Sequence, residues 1–242
     1  MKTASRWYSE RVEQEVVLVR WGHWGQPVLV FPTAGGDAEE IERMQLVAAL
    51  WPLIEGGRIK LYSCDNLAGR AFAAKTGSVE YRCRLLDRFE DCVAQEVVPA
   101  IRMDCRDEGA EVIATGASLG AFMAVAVACR YPWLFRAAVG MSGSYDLERL
   151  FEIKGNEDYY FATPMSFVPS LEGPLLDTLR QRFILLAYGG GRWEAPDDSW
   201  RLAGVLGAKG VPNRVDPWGP EYDHDWPTWR AMLPGYLHDL VP

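Results

Sequence analysis

Short, almost wholly apolar runs alternate along this chain with longer stretches whose apolar residues fall at helical spacing. The runs are "EVVLVRW" (15–21), "PVLVFP" (27–32), "RIKLYSC" (58–64), "EVIAT" (111–115), "RAAVGMS" (136–142), "RFILLAY" (182–188) and a short "NRVDPW" (213–218). Between them Ile41, Met44, Val47, Trp51 and Ile54 keep helical spacing, as do Leu86, Phe89, Val93 and Val97 in a helix expected from about 79 to Pro99 or slightly beyond. Further helices are expected over 118–130, about 199–209 and about 225–240. Continuously apolar strands alternating with helices predict an α/β fold with a mostly parallel sheet covered on both faces. The Gly-rich "GHWGQ" between the first two runs predicts an N-terminal antiparallel hairpin made of 15–21 and 27–32. The irregular stretch "LFEIKGNEDYYFATPMSFVPSLEG" is too long for an ordinary connection. It predicts a small cap-like insertion at about 147–181 within one domain spanning 1–242.

With 242 residues, 49% of them apolar, the chain supports one sizeable core. Its net charge of −8 disfavours nucleic acid and anionic membranes as partners. The first residues lack the apolar stretch of a signal peptide, and the longest apolar run, "AFMAVAVAC", is far short of a bilayer span. Five cysteines with no Cys-x-x-Cys fit reduced, mostly buried thiols in a cytoplasmic protein. His23, His224 and His238 are widely spaced and show no metal-ligand pattern, so neither a metal nor an organic cofactor is expected.

An open α/β sheet carries its ligands at the carboxyl ends of its strands. There "GASLG" (116–120) joins an apolar strand to an Ala-rich helix. Gly-x-Ser-x-Gly is a weak pattern alone, but this setting is what a nucleophile elbow requires, which makes Ser118 a candidate nucleophile. The bland alternative is a helix-capping serine. In this architecture the acid and the base follow the serine in that order. Of the two later histidines, His224 lies in the loop before the last helix and is the candidate base, while His238 lies inside that helix. The acid is expected after "RFILLAY", where Glu194 is nearest the strand end. Asp197 and Asp198 are read as caps of the helix starting near Ser199, and Asp146, after the preceding strand, is the topological alternative. The oxyanion donors are expected to be the N–H of Leu119 and an N–H from "FPTAGGDAEE", that of Ala34 or Thr33. That segment also reads as an ordinary connection ending in an Asp37 N-cap.

Four segments, "FPTAGG", "GASLGAF", "MSGSYD" and "HDWPTW", together resemble the esterase branch of the α/β-hydrolases. That branch includes S-formylglutathione hydrolase, feruloyl and acetyl-xylan esterases and the mycolyltransferases, and the resemblance covers nearly the whole chain. It implies the α/β-hydrolase fold, Ser118 as nucleophile and, from the His before Asp-Trp, His224 as base. The chain departs from the branch in having Pro32-Thr33 where many relatives have His-Gly, and Glu194 where Asp is commoner.

The resulting expectation is a serine carboxylic-ester hydrolase acting on small to medium soluble esters. An acyltransferase on the same triad and a non-catalytic ligand-binding or partner-binding protein of the same fold are the alternatives. No cluster of Arg or Lys suggests a phosphate or polycarboxylate substrate. Of Tyr159, Tyr160, Phe161, Trp193, Trp218, Tyr222 and Trp226, most are expected in the core and a few at an apolar pocket for the small-molecule ester. The sequence leaves the oligomeric state open and admits a homo-oligomer.

Overall fold

A computed structural model describes residues 1–241. One eight-stranded sheet runs through it, in the order β1-β2-β4-β3-β5-β6-β7-β8. The strands are β1 (Lys2–Ser9), β2 (Gln14–Trp21), β3 (Gln26–Phe31), β4 (Ile59–Cys64), β5 (Val112–Ala117), β6 (Phe135–Met141), β7 (Phe183–Tyr188) and β8 (Asn213–Pro217). β1 pairs antiparallel with β2, and β2 antiparallel with β4; every later pairing is parallel.

The antiparallel N-terminal hairpin is present, but β1 and β2 form it. The expected pairing of 15–21 with 27–32 does not occur, because β4 lies between them. The apolar run of β3 is buried along its length after Gln26, and such a strand needs a neighbour on each side. β1 is mostly exposed, with no apolar alternation to betray it.

The helices cover both faces. On one side lie α1 (Glu40–Arg43), α2 (Leu46–Glu55) and α12 (Trp226–Leu240), packed over Val28, Val30, Ile113 and Val139. On the other lie α3 (Leu67–Ala73), α4 (Val79–Cys92), α5 (Val98–Cys105), α6 (Leu119–Arg130) and α11 (Pro196–Ala208). The helix expected from about 79 runs on to Cys105, with a single π-helical turn at Val93–Val97. Pro99 follows that turn directly, as the second residue of α5, and proline and π-helical turns are both places where the helical ladder is interrupted. The stretch expected to be irregular folds into four short helices, α7 (Leu147–Phe151), α8 (Glu157–Ala162), α9 (Pro164–Phe167) and α10 (Gly173–Leu179). Asp146 caps α7, Asn156 caps α8, and Pro164 opens α9.

Strand register determines where each connecting loop leaves the sheet. Phe31 lies opposite Gly116, Ala117 opposite Met141, Met141 opposite Ala187, and Tyr188 opposite Pro217. The residues immediately after β3, β5, β6, β7 and β8 therefore emerge together at one edge of the sheet.

Candidate active site

Ser118 is the first residue beyond β5 and directly precedes α6. Its backbone has φ 56° and ψ −122°, which a non-glycine residue adopts only under strain of order 1–3 kcal/mol. Its side chain makes no capping bond to the helix, so the capping-serine reading fails. Its N–H donates to Met141 O at 2.9 Å, holding the turn against the end of β6. The flanking glycines are needed for space. A Cβ at Gly116 would stand 2.4 Å from the Gly120 carbonyl, and one at Gly120 would stand 2.2 Å from Phe31 O. At N1 of α6 the Leu119 N–H belongs to the first turn, whose N–H groups have no partner within the helix, at the positive end of its dipole.

The loop after β3 passes beside this turn. Thr33 is tied to Glu40 twice: its N–H donates to Oε2 at 2.8 Å and its hydroxyl to Oε1 at 2.7 Å. Asn66, fully buried, donates to Pro32 O at 3.1 Å, and Asp65 accepts the Ala38 N–H at 3.0 Å. The Thr33 N–H, one of the two expected donors, is therefore already engaged within the protein. Asp37 accepts from the Glu39 N–H ahead of α1 and is not its N-cap, a position taken by Glu39.

Glu194 follows β7 in a loop stitched to the loop after β8. Gly190 N–H donates to Gly219 O, Gly191 N–H to Tyr222 O and His224 N–H to Arg192 O, all at 2.9–3.0 Å. The Asp223 carboxylate clasps Arg192 through its backbone N–H, Nε and Nη2 at 2.6–2.9 Å, and these donors hold the Asp223 carboxyl below the usual carboxylate range. Trp193, in the left-handed region at φ 63°, turns outward, and the Glu194 side chain beside it is only 2% exposed. Glu194 Oε2 faces His224 Nδ1 at 3.9 Å. That is too long for a hydrogen bond, yet both atoms are buried and neither has another partner. Glu194 Oε1 accepts from the Ser142 hydroxyl at 2.7 Å, and the Trp229 ring stands edge-on to the His224 imidazole with centroids 5.3 Å apart.

The other acids are engaged elsewhere. Burial opposes ionisation of Asp146, but the Arg149 N–H and the Arg201 guanidinium outweigh it and hold its carboxyl low. α11 begins at Pro196 rather than near Ser199, with Ala195 at the N-cap, so Asp197 and Asp198 lie in its first turn and do not cap it. Asp197 is exposed; Asp198 is buried beside Arg149 at 3.0 Å, and burial raises its carboxyl above the usual range. Sequence reasoning missed Ser142, Trp229, the Asp223–Arg192 clasp and Glu40. Ser142, Trp229 and Glu40 lay inside segments the sequence singled out, "MSGSYD", "HDWPTW" and "FPTAGGDAEE", but nothing in those segments pointed to their contacts.

Tyr159 and Trp226 are core residues, and Trp218 packs edge-on against Tyr222. Phe161, Trp193 and Trp200 are exposed. A cavity of about 1250 Å³ lies at the amino ends of the strands around Gln26, Arg58 and Arg136, away from Ser118. Among the described residues no helix is long and apolar enough to cross a membrane. All five cysteines are free thiols, and Cys105 alone is partly exposed.

A parallel sheet with an antiparallel N-terminal hairpin, helices on both faces and a strained serine at the turn into α6 defines an α/β-hydrolase-fold enzyme. The Putative esterase family matches residues 81–238, a span holding Ser118, Glu194 and His224 but not Ala34, and the chain belongs to that family of carboxylic-ester hydrolases. Solved structures share the fold over almost the whole length of both chains. A ferulic acid esterase is 14% identical with a TM-score of 0.73, covering 100% of this chain and 98% of its own. An S-formylglutathione hydrolase from Agrobacterium tumefaciens is 14% identical with a TM-score of 0.71, covering 98% and 93%. The fluorophosphonate-binding serine hydrolase FphF of Staphylococcus aureus is 15% identical with a TM-score of 0.70, covering 100% and 98%. No sequence match was found among curated proteins.

Proposed function

We propose that the chain hydrolyses small to medium soluble esters through a Ser118–His224–Glu194 triad, with the N–H groups of Leu119 and Ala34 receiving the oxyanion. The backbone of Ser118 carries this reading. A backbone at φ 56° and ψ −122° on a strand-to-helix turn lies outside the left-handed helical region that ordinary turns use, and with no capping bond in return this strain supports a nucleophile elbow. The burial of Glu194 Oε2 opposite an equally unpartnered His224 Nδ1 supports the assignment of acid and base.

In this mechanism Ser118 Oγ attacks the ester carbonyl while His224 Nε2 takes its proton. Negative charge develops on the carbonyl oxygen against the Leu119 and Ala34 N–H groups and the positive end of α6. The imidazolium then protonates the leaving alcohol, and the C–O bond to it breaks. Water, deprotonated by His224, attacks the acyl-serine and releases the acid, returning the proton to Ser118. Glu194 keeps the proton of neutral imidazole on Nδ1 and stabilises the imidazolium. The 3.9 Å gap is of the kind that closes when the imidazole gains its proton. The five free thiols fit a cytoplasmic setting.

A panel of p-nitrophenyl esters of graded acyl length, run beside Ser118→Ala, tests the proposal. Turnover is expected to peak at short to medium acyl chains and to fall on the order of 10³-fold or more in the variant. Free acid should appear at the same rate with or without a millimolar sugar or alcohol acceptor. Transfer of most of the acyl group to the acceptor would replace hydrolase by transferase, and no turnover at all would favour a binding protein.

A further inference from the structure

Ser142, first residue after β6, is 4% exposed and sits in the left-handed region at φ 49°. Its N–H donates to Ala187 O at 2.7 Å, extending the β6–β7 pairing by one bond and fixing where the side chain points. A serine held in this conformation has a strained backbone, and its hydroxyl both accepts and donates a hydrogen bond. Trp229 Nε1 donates to Ser142 Oγ at 2.9 Å, and Ser142 Oγ lies 2.7 Å from Glu194 Oε1. An indole N–H can only donate and an ionised carboxylate can only accept, so the direction of both bonds is forced. The serine hydroxyl accepts from Trp229 and gives its single proton to Glu194. The same indole meets the His224 ring edge-on, at 82°. One residue of α12 thus touches the imidazole directly and the carboxylate through Ser142.

We propose that Ser142 is a positioning residue for the Glu194–His224 pair, its hydroxyl holding Glu194 Oε1 so that Oε2 alone faces His224 Nδ1. The inference rests on the triad assigned above. Glu194 has a longer side chain than the aspartate commoner at this place and therefore one more torsion to fix. Without the hydroxyl, Oε1 would be a buried carboxylate oxygen with no donor, and the side chain would be free to rotate away from the imidazole. Loss of a donor to an ionised group also disfavours ionisation, so the pair would take up a proton at higher pH.

The test measures kcat, KM and the pH profile of kcat/KM on one activated ester for the parent, Ser142→Ala and Ser142→Gly, with a melting curve for each. Glycine accepts φ 49° without strain and removes the hydroxyl, so Ser142→Gly separates the lost bond from a damaged backbone and carries the comparison should Ser142→Ala not fold. Both variants are expected to lose about tenfold or more in kcat, with KM within about twofold. The acidic limb of the profile is expected to move up by about one pH unit, the equivalent of one hydrogen bond to a charged group. Trp229→Phe, which removes the donor to Ser142 and keeps an aromatic ring, should fall between parent and Ser142→Gly. If Ser142→Gly melts like the parent and keeps both its kcat and its acidic limb, the inference is wrong. If the parent hydrolyses no ester, or hydrolysis survives Ser118→Ala, the triad itself fails and the inference falls with it.

Discussion

At the scale of single residues, the surroundings of the acids separate candidates that sequence left side by side. Glu194 alone presents a buried, unpartnered oxygen to an imidazole. Glu194→Gln is expected to lower kcat on the order of 10²-fold or more, since an amide cannot stabilise the imidazolium. Asp146→Asn, Asp197→Asn and Asp198→Asn should each keep kcat within about twofold. Their effects belong in melting curves. The Asp146 carboxyl is held below its ordinary pKa, so its stabilisation is complete above the usual aspartate value of about 3.9 and is lost as pH falls through the folded value. Removing it should therefore flatten the acid-side decline of Tm. A collapse of kcat in one of the aspartate variants with Glu194→Gln near full activity would move the role of acid to that aspartate. The positions of Ser118, Glu194 and His224 beyond the strand ends were legible because each follows a recognisable strand. The hydrogen bond between Trp229 and Ser142 was not, because it joins residues 87 positions apart in sequence and no local pattern records it.

At the scale of elements, the turn between β5 and α6 is set by how closely it passes the end of β3. An added methyl at Gly120 would meet two backbone carbonyls, Phe31 O at 2.2 Å and Pro32 O at 2.6 Å, and backbone cannot swing aside as a side chain can. Gly120→Ala should cost about 3 kcal/mol or more and lower Tm by about 10 °C. Gly204, in α11 with nothing within 4 Å of an added Cβ, is the matched control. There Gly204→Ala should raise stability by up to about 1 kcal/mol, through helix propensity alone. Equal melting temperatures for the two variants would contradict the packing described for the elbow. Buried strands and amphipathic helices were readable from their periods, whereas β1 was hidden. Its residues are mostly exposed and polar, and what makes it a strand is pairing with β2 from Lys2 opposite Trp21 to Ser9 opposite Gln14.

At the scale of the whole molecule, alternation of strands and helices announced a parallel sheet, but the strand order could not be read from it. Placing β4 between β2 and β3 is decided by which strands can bury both faces, a competition settled only in the assembled sheet. That order, with its register, brings the ends of β3, β5, β6, β7 and β8 to one edge, where residues as distant in sequence as Ala34 and His224 can serve one reaction. Ser118 is proposed as the reactive group there. Treating the folded protein with a fluorophosphonate and locating the adduct by peptide mass spectrometry tests that role most directly. One adduct is expected, on Ser118, absent from Ser118→Ala and formed much more slowly in Glu194→Gln. Undiminished labelling of Ser118→Ala, or an adduct on another residue of the parent, would contradict that role.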